Sequence, residues 1–482
     1  MIAFRHGVAS ADPLPDGVLL WTRVTTDAAG PVAVDWWLGE GPQAAAALAR
    51  GTAEASPERD FTVHVDVGGL EPGTTYWYGF GAGDVASPVG RTRTAPVGPL
   101  RVGLASCANW SCGFFNAYAN LAARDLDLVV HVGDYLYEND LMRLSRRAVR
   151  SHRPPGPCIT LEDYRARHAQ YRSDPDLQAL HARHPVVAAW DDHELIGGTW
   201  REGATAHRPG HGPWAPRLAA ARQAYFEWIP VRRPAHDSVY RTVPLGPLAD
   251  LVMLDTRLAG RDRPAKDARR PAVRIADRRR ALLGERQWAW LEGEVAASTA
   301  QWLLLGNQVM MAPLRVLHLA GGLGVNPSQW DGYPGERRRL YELLRRAGRA
   351  TNVAVLTGDL HSSWACDLPV GAEFVSPSVT TDSFSATTLP QVPGLSALVR
   401  RIFLSQNGHV RLADLDRHGY VTVDVTPERV QADFWHVDTI GRRDGGERWA
   451  GGWALRDGRL GLQPAVSPAP AAEPTPRSAA GG

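Results

Sequence analysis

Leu128-Val-Val-His-Val-Gly-Asp-Tyr-Leu-Tyr-Glu138 is an aliphatic run that breaks at Gly133 into side chains able to hold a metal or a proton. The first half has the length and β-branched composition of a buried strand. The glycine marks a turn, and Asp134, Tyr137 and Glu138 follow it. The same arrangement recurs along the chain. Val102-Gly-Leu-Ala runs into Ser106-Cys107, and Val186-Val-Ala-Ala-Trp190 runs into Asp191-Asp192-His193-Glu194. Trp302-Leu-Leu-Leu-Gly306 leads to Asn307-Gln308, and Val353-Ala-Val-Leu-Thr-Gly358 leads to Asp359-Leu-His361. Ligands of open α/β sheets bind outside the carboxyl ends of strands, so these five ends are expected to converge on one rim. A single aspartate after a strand is commonly only a turn former. Five ends supplying thiol, carboxylate, phenol and imidazole are poorly explained by turns.

Around these strands the sequence alternates with helical patterns at 114–124, 215–226, 285–297 and 336–346, which predicts an α/β or α+β domain with a mixed sheet. That domain is assigned to residues 99–453. Residues 1–98 differ: short alternating runs at 18–21, 32–38, 61–67 and 76–80 are separated by Gly, Pro and Asp turns, which predicts an all-β sandwich. Within it, Leu70-Glu-Pro-Gly-Thr-Thr-Tyr76 resembles the strand corner of fibronectin type III domains, with Tyr76 bonding back to upstream backbone. Thr94-Ala-Pro-Val-Gly-Pro-Leu100 reads as a linker, and the Pro/Ala-rich 464–482 as a disordered tail. The arginine-rich stretch 257–280, interleaved with Asp262, Asp267 and Asp277, reads as a solvated face. No internal repeat is found.

Composition narrows the function. The 482 residues carry 53 basic and 51 acidic side chains, a formal charge of +2. No global field therefore recruits nucleic acid or membrane. No apolar run approaches the ~20 residues of a membrane helix. Lys266 is the only lysine and stands in Pro-Ala-Lys-Asp, so a Walker A loop and a Schiff-base lysine are both excluded. Cys107, Cys112, Cys158 and Cys366 form no C-x-x-C pair, which argues against zinc ribbons and leaves room for one bridge, as between Cys107 and Cys112. There is no Gly-x-Ser-x-Gly, and His193-Glu-Leu-Ile-Gly197 fails the His-Glu-x-x-His pattern of zinc proteases. His6, His152, His207 and His211 read as surface residues.

Gly-Asp134-x-x-Tyr137 resembles the Gly-Asp-x-x-Tyr element of purple acid phosphatases, within the calcineurin-like metallophosphoesterases. With Phe4-Arg-His-Gly-Val-Ala-Ser-Ala-Asp12, Trp21-Thr-Arg23, Ser106-Cys107, Trp190-Asp-Asp-His-Glu194, Gln223-Ala-Tyr-Phe-Glu-Trp228, Gly358-Asp-Leu-His361 and Asp416-Arg-His-Gly-Tyr420, the chain resembles the PhoD-like alkaline phosphatase/phosphodiesterase family over residues 4–436. The resemblance implies a metallophosphoesterase-type β-sandwich flanked by helices, with an N-terminal fibronectin III-like or immunoglobulin-like domain. It implies Fe3+ and Ca2+ as cofactors, with Zn2+ or Mn2+ as alternatives to iron. Asp134 would bridge two metals; Cys107, Tyr137 and His361 would complete the iron side, where soft and anionic donors belong. Asp359 and one of Asp191 or Asp192, with Asp192 favoured, would serve calcium, which prefers oxygen. His193 would face the leaving-group oxygen as a catalytic residue beside Asp134, and Asn307 and Asp191 would contact substrate. The implied reaction is hydrolysis of phosphomonoesters and phosphodiesters by a metal-activated water.

The resemblance also implies a secreted or periplasmic protein. Met1-Ile-Ala-Phe-Arg-His6 has no apolar signal-peptide stretch, so a cytoplasmic location stays open, as does the oligomeric state. One departure stands out: Gly197, Gly198 and Ala206 occupy positions where the family carries asparagine. Loss of side-chain amides there motivates an alternative reading, a degenerate member that binds phosphorylated polymer or metal without turnover.

Overall fold

The structure is a computed structural model that describes residues 1–139, 148–233, 238–265, 275, 277–315 and 326–470. Two large sheets dominate it. One has ten strands, with Leu100–Ala105, Leu128–His131 and Val186–Ala188 parallel at its centre. The other has seven, with Ala249–Met253, Trp302–Asn307 and Val353–Thr357 parallel. Side chains alternate across the second sheet as the period of two demands. Trp302 and Leu304 join Val102, Leu104 and Val130 in the core between the sheets. Leu303 and Leu305 face outward and pack with Trp288 and Leu291 of helix Gly284–Ala297 and Leu340 and Leu344 of helix Pro334–Arg346. The result is the expected sandwich with helices on its outside.

Register explains why chemistry collects at one end. Ala105, His131 and Ala188 are paired across three parallel strands, so Cys107, Asp134 and Asp191 leave the sheet at one level. Met253, Gly306 and Leu356 are aligned likewise in the facing sheet, delivering Arg257, Asn307 and Asp359 to the same rim. The rims are stitched together: Val379 donates its backbone N–H to Ser106 at 3.0 Å, and Thr381 donates its hydroxyl to the Cys107 carbonyl at 2.7 Å.

The N-terminal region is β-rich, and Tyr76 makes the expected corner, its hydroxyl accepting the Glu71 N–H at 3.0 Å. Its sheets are nonetheless not separate from the rest. Val8–Leu14, Gly17–Arg23 and Thr62–Gly68 continue the ten-stranded sheet, with Ala11 beside Val186. At the other end Gln463–Ala465 pairs with Glu447–Arg456, which corrects the expectation of a disordered tail from 464. Here backbone ladder bonds outweigh a composition that lacks side chains to bury. Residues 471–482, and Lys266, lie outside the described residues. None of the four cysteines forms a disulfide, so the bridge left open above is absent. His6 and His152 are buried rather than superficial, against Trp228 and Tyr171. Among the described residues no helix is long and apolar enough to cross a membrane.

Candidate metal centre and active site

Four expected donors share a backbone anomaly. Cys107, Asp134, Asp359 and His361 have φ of 61°, 54°, 61° and 52°, in the left-handed region that non-glycine residues seldom enter. Such conformations cost on the order of 1–3 kcal/mol each and persist where the surroundings enforce them, commonly at functional sites. Each lies two to four residues beyond a strand end, in the turns that cross the rim. Gly133, at φ 109°, must be glycine because a Cβ there would collide with Asp191.

On one side, ligand atoms of Cys107, Asp134 and His361 lie within 4.8 Å of one another. Tyr137 belongs with them: its hydroxyl donates to Asp134 Oδ2 at 2.9 Å and lies 3.2 Å from His361 Nε2. His361 Nδ1 donates to the Asp382 carbonyl at 3.0 Å, which fixes the tautomer and leaves Nε2 as a lone-pair donor. Burial lowers the proton affinity of His361, as a neutral ligand requires. Burial, reinforced by Asp134, raises the Cys107 thiol and the Tyr137 phenol well above their ordinary values. It also lifts Asp134 to about 7. Three acidic groups packed where each resists ionisation form a set that a cation would stabilise. The donors therefore fit a metal.

Asp134 also groups with Asp192 and His193, and Asp191, Asp192 and Asp359 form a further cluster, again with ligand atoms within 4.8 Å. Arg257 stands inside that cluster. It pairs Nε with Asp191 Oδ1 and places Nη2 2.7 Å from Asp191 Oδ2, 2.7 Å from Asp359 Oδ1 and 3.0 Å from Asp192 Oδ1. Burial raises Asp191, whereas Arg257 and His193 hold Asp192 below the ordinary range despite its own burial.

His193 is clamped. Its Nδ1 meets Glu138 Oε2 at 2.7 Å, and its ring stacks on Tyr137 with centroids 4.2 Å apart. Burial opposes protonation, yet Glu138, Asp134 and Asp192 together raise its proton affinity well above the ordinary value. Glu194, pushed up to about 8 by burial, accepts the Asp191 and Tyr135 N–H groups and braces the two loops.

A rim of this composition, on two facing sheets, has clear relatives. The model of the PhoD-like phosphatase matches residues 102–434, and that of the PhoD-like phosphatase N-terminal domain matches residues 2–96. Alkaline phosphatase D of Bacillus subtilis (strain 168) is 35% identical over 466 residues, covering 89% of this chain and 77% of that protein. The chain belongs to the PhoD-like phosphatase family. A solved structure described as the structure of PhoD superimposes with a TM-score of 0.86 at 33% identity, covering 96% of this chain and 92% of that one. Membership brings the general class of phosphoester hydrolase and, with the clusters above, candidate metal-binding groups.

For this PhoD-like phosphatase the structure brings Cys107, Asp134, Tyr137, Asp192, His193, Asp359 and His361 together. The two residues expected to contact substrate are each engaged by protein partners. Asn307 is wholly buried: its Oδ1 accepts the Trp330 indole N–H at 3.0 Å, and its Nδ2 serves the Val309 carbonyl and Thr357 Oγ1. An amide so fully used closes a strand end and has nothing left for substrate. Asp191 has both oxygens on Arg257 and is a partner for that side chain instead.

The solvated reading of 257–280 is corrected in part: Arg257, Arg261 and Arg280 are buried, Arg263, Arg278 and Arg279 are exposed, and 266–274 and 276 lie outside the described residues. Arg257 is a residue of this rim that the sequence pattern does not single out. It follows a sixth strand end, Leu251-Val-Met-Leu-Asp-Thr-Arg257, but opens an arginine-rich stretch whose pattern is that of a solvated block. Gln329, whose Nε2 donates to Asp359 Oδ2 at 2.5 Å, carried no such signal. Finally, Gly197 and Gly198 are occupied positions. Their N–H groups donate to Glu138 Oε1, at 2.8 Å, and to Asp192 Oδ2. A Cβ at Gly197 would stand 2.9 Å from His193 Cε1, and one at Gly198 2.5 Å from Thr205 Oγ1. Both positions are therefore fitted to glycine rather than to a side chain.

Proposed function

We propose that this phosphatase hydrolyses phosphomonoesters and phosphodiesters at a two-sided metal centre, with iron held by Cys107, Asp134, Tyr137 and His361 and calcium on the side of Asp134, Asp192 and Asp359. The observation that carries the reading is the double membership of Asp134, whose carboxylate belongs to a thiol–imidazole cluster and to a carboxylate–imidazole cluster at once. When bound, such a pair of cations supplies charge neutralisation for the phosphoryl oxygens and lowers the pKa of water.

The protein's own residues supply the rest. Glu138 holds His193 Nδ1, which orients the ring and leaves Nε2 to give a proton to the leaving-group oxygen. Tyr137 fixes the ring plane from one face. Gly197 and Gly198 keep Glu138 and Asp192 in place through backbone hydrogen bonds. No covalent nucleophile is required, because positioning and charge carry phosphoryl transfer to water.

The test is nitrophenol release from p-nitrophenyl phosphate and bis-p-nitrophenyl phosphate. Turnover of both that is lost on chelation and regained with calcium supports the proposal; a folded protein inert toward both would favour the binding-only alternative. The fit of glycine at 197 and 198 against His193 and Thr205 speaks against that alternative, since these positions are packed for glycine and not merely stripped of a side chain. A location outside the cytoplasm accords with the family resemblance, and cell fractionation with an antibody to the chain would test it.

A further inference from the structure

The acidic side has no idle oxygen. Asp191 gives both oxygens to Arg257; Asp192 and Asp359 each give one to the same Nη2. Their remaining oxygens are taken by the Gly198 N–H and by Gln329 Nε2. Arg257 is itself held rigidly: Asp255 Oδ1 accepts the N–H groups of Arg257 and Leu258 at 2.8 and 2.9 Å, and Asp255 Oδ2 is fixed by Ser238 at 2.7 Å. The guanidinium side chain is 4% exposed.

Three clustered carboxylates, Asp191 and Asp192 buried and Asp359 half-buried, repel one another unless a positive charge sits among them. A planar guanidinium provides one such charge with fixed directions. Calcium, which wants six to eight oxygens, would compete for the same atoms. We propose that Arg257 is a resident counter-ion of the acidic side. It keeps Asp191, Asp192 and Asp359 assembled before any divalent ion arrives, and calcium enters by displacing Nη2 from Asp192 and Asp359 while Asp191 retains the arginine. Arg257 thereby sets how weakly and how exchangeably that side holds its ion; it is a positioning residue and contributes no step of the reaction. The inference rests on the two-sided reading of the centre.

The experiment is calorimetric titration of calcium into the protein carrying its tightly held metal, dialysed against a calcium chelator, for wild type, Arg257→Gln and Arg257→Lys, with melting temperatures measured calcium-free. Loss of the competing charge should tighten calcium binding by roughly tenfold or more in Arg257→Gln. The calcium-free protein should at the same time melt at a clearly lower temperature, recovered by calcium. Arg257→Lys, which keeps a point charge without the fork, should fall between, and it serves alone if the glutamine variant does not fold. Equal or weaker calcium affinity in the variants, with any loss confined to a raised KM for the diester, would overturn the inference and make Arg257 a substrate contact. Calcium uptake by neither wild type nor variant would overturn the two-sided centre and this inference with it.

Discussion

On one side of Asp134 stand a thiol, a phenol and an imidazole, drawn from three strand ends; on the other stand three carboxylates that already share a guanidinium. The first set resists ionisation where it is buried and gains most from a cation of high charge that accepts sulfur and phenolate. The second set is neutralised in part from within, so a cation there meets a competitor. Metal affinity on the two sides should therefore differ in kind: tight and slow to exchange beside Cys107, weaker and reversible beside Arg257.

The largest effect is expected where the sides meet. Asp134→Ala should cut hydrolysis by at least ~10³-fold and deplete both metals, as elemental analysis would register; unchanged metal content would dissolve the comparison. His193→Ala should lower kcat by ~10²–10⁴-fold with both metals retained, the range for a lost general acid. Glu138→Gln should lower it less, because it removes only the clamp. Tyr137→Phe should abolish a visible charge-transfer band at a cost of about 0.5–1.5 kcal/mol in stability for the lost hydrogen bonds; an unchanged band would move the phenolate elsewhere. Gly198→Asn, which returns the family residue, should destabilise by ~1–3 kcal/mol without raising activity, because φ is 74° and Thr205 blocks the Cβ. A more active variant would show that the amide had been missed. Asn307→Ala should cost ~1–3 kcal/mol in stability through the orphaned Trp330 and Thr357 partners, with KM unchanged.

The grouping of Cys107, Asp134, Tyr137 and His361 was legible in the sequence because each stands just beyond an aliphatic strand, and register in parallel sheets carries such ends to one level. The helices were legible for a related reason: their apolar spacing is local. What escaped was decided by partners distant in sequence. Asn307 looks like a free amide until Trp330 and Thr357 are placed against it. Arg257 looks like one of many arginines until Asp191 and Asp359 close around it. The glycines at 197 and 198 read as losses because a sequence does not show His193 and Thr205 standing where a side chain would begin. The strand Gln463–Ala465 was hidden because ladder bonds need no particular side chain.

The most direct test of the two-sided centre follows iron, calcium, the visible band and diesterase activity together while the purified protein is dialysed against a calcium chelator. Iron and band should persist while calcium and activity leave together, and adding calcium should restore activity. Loss of iron and calcium in step, or full activity in protein free of both, would contradict it.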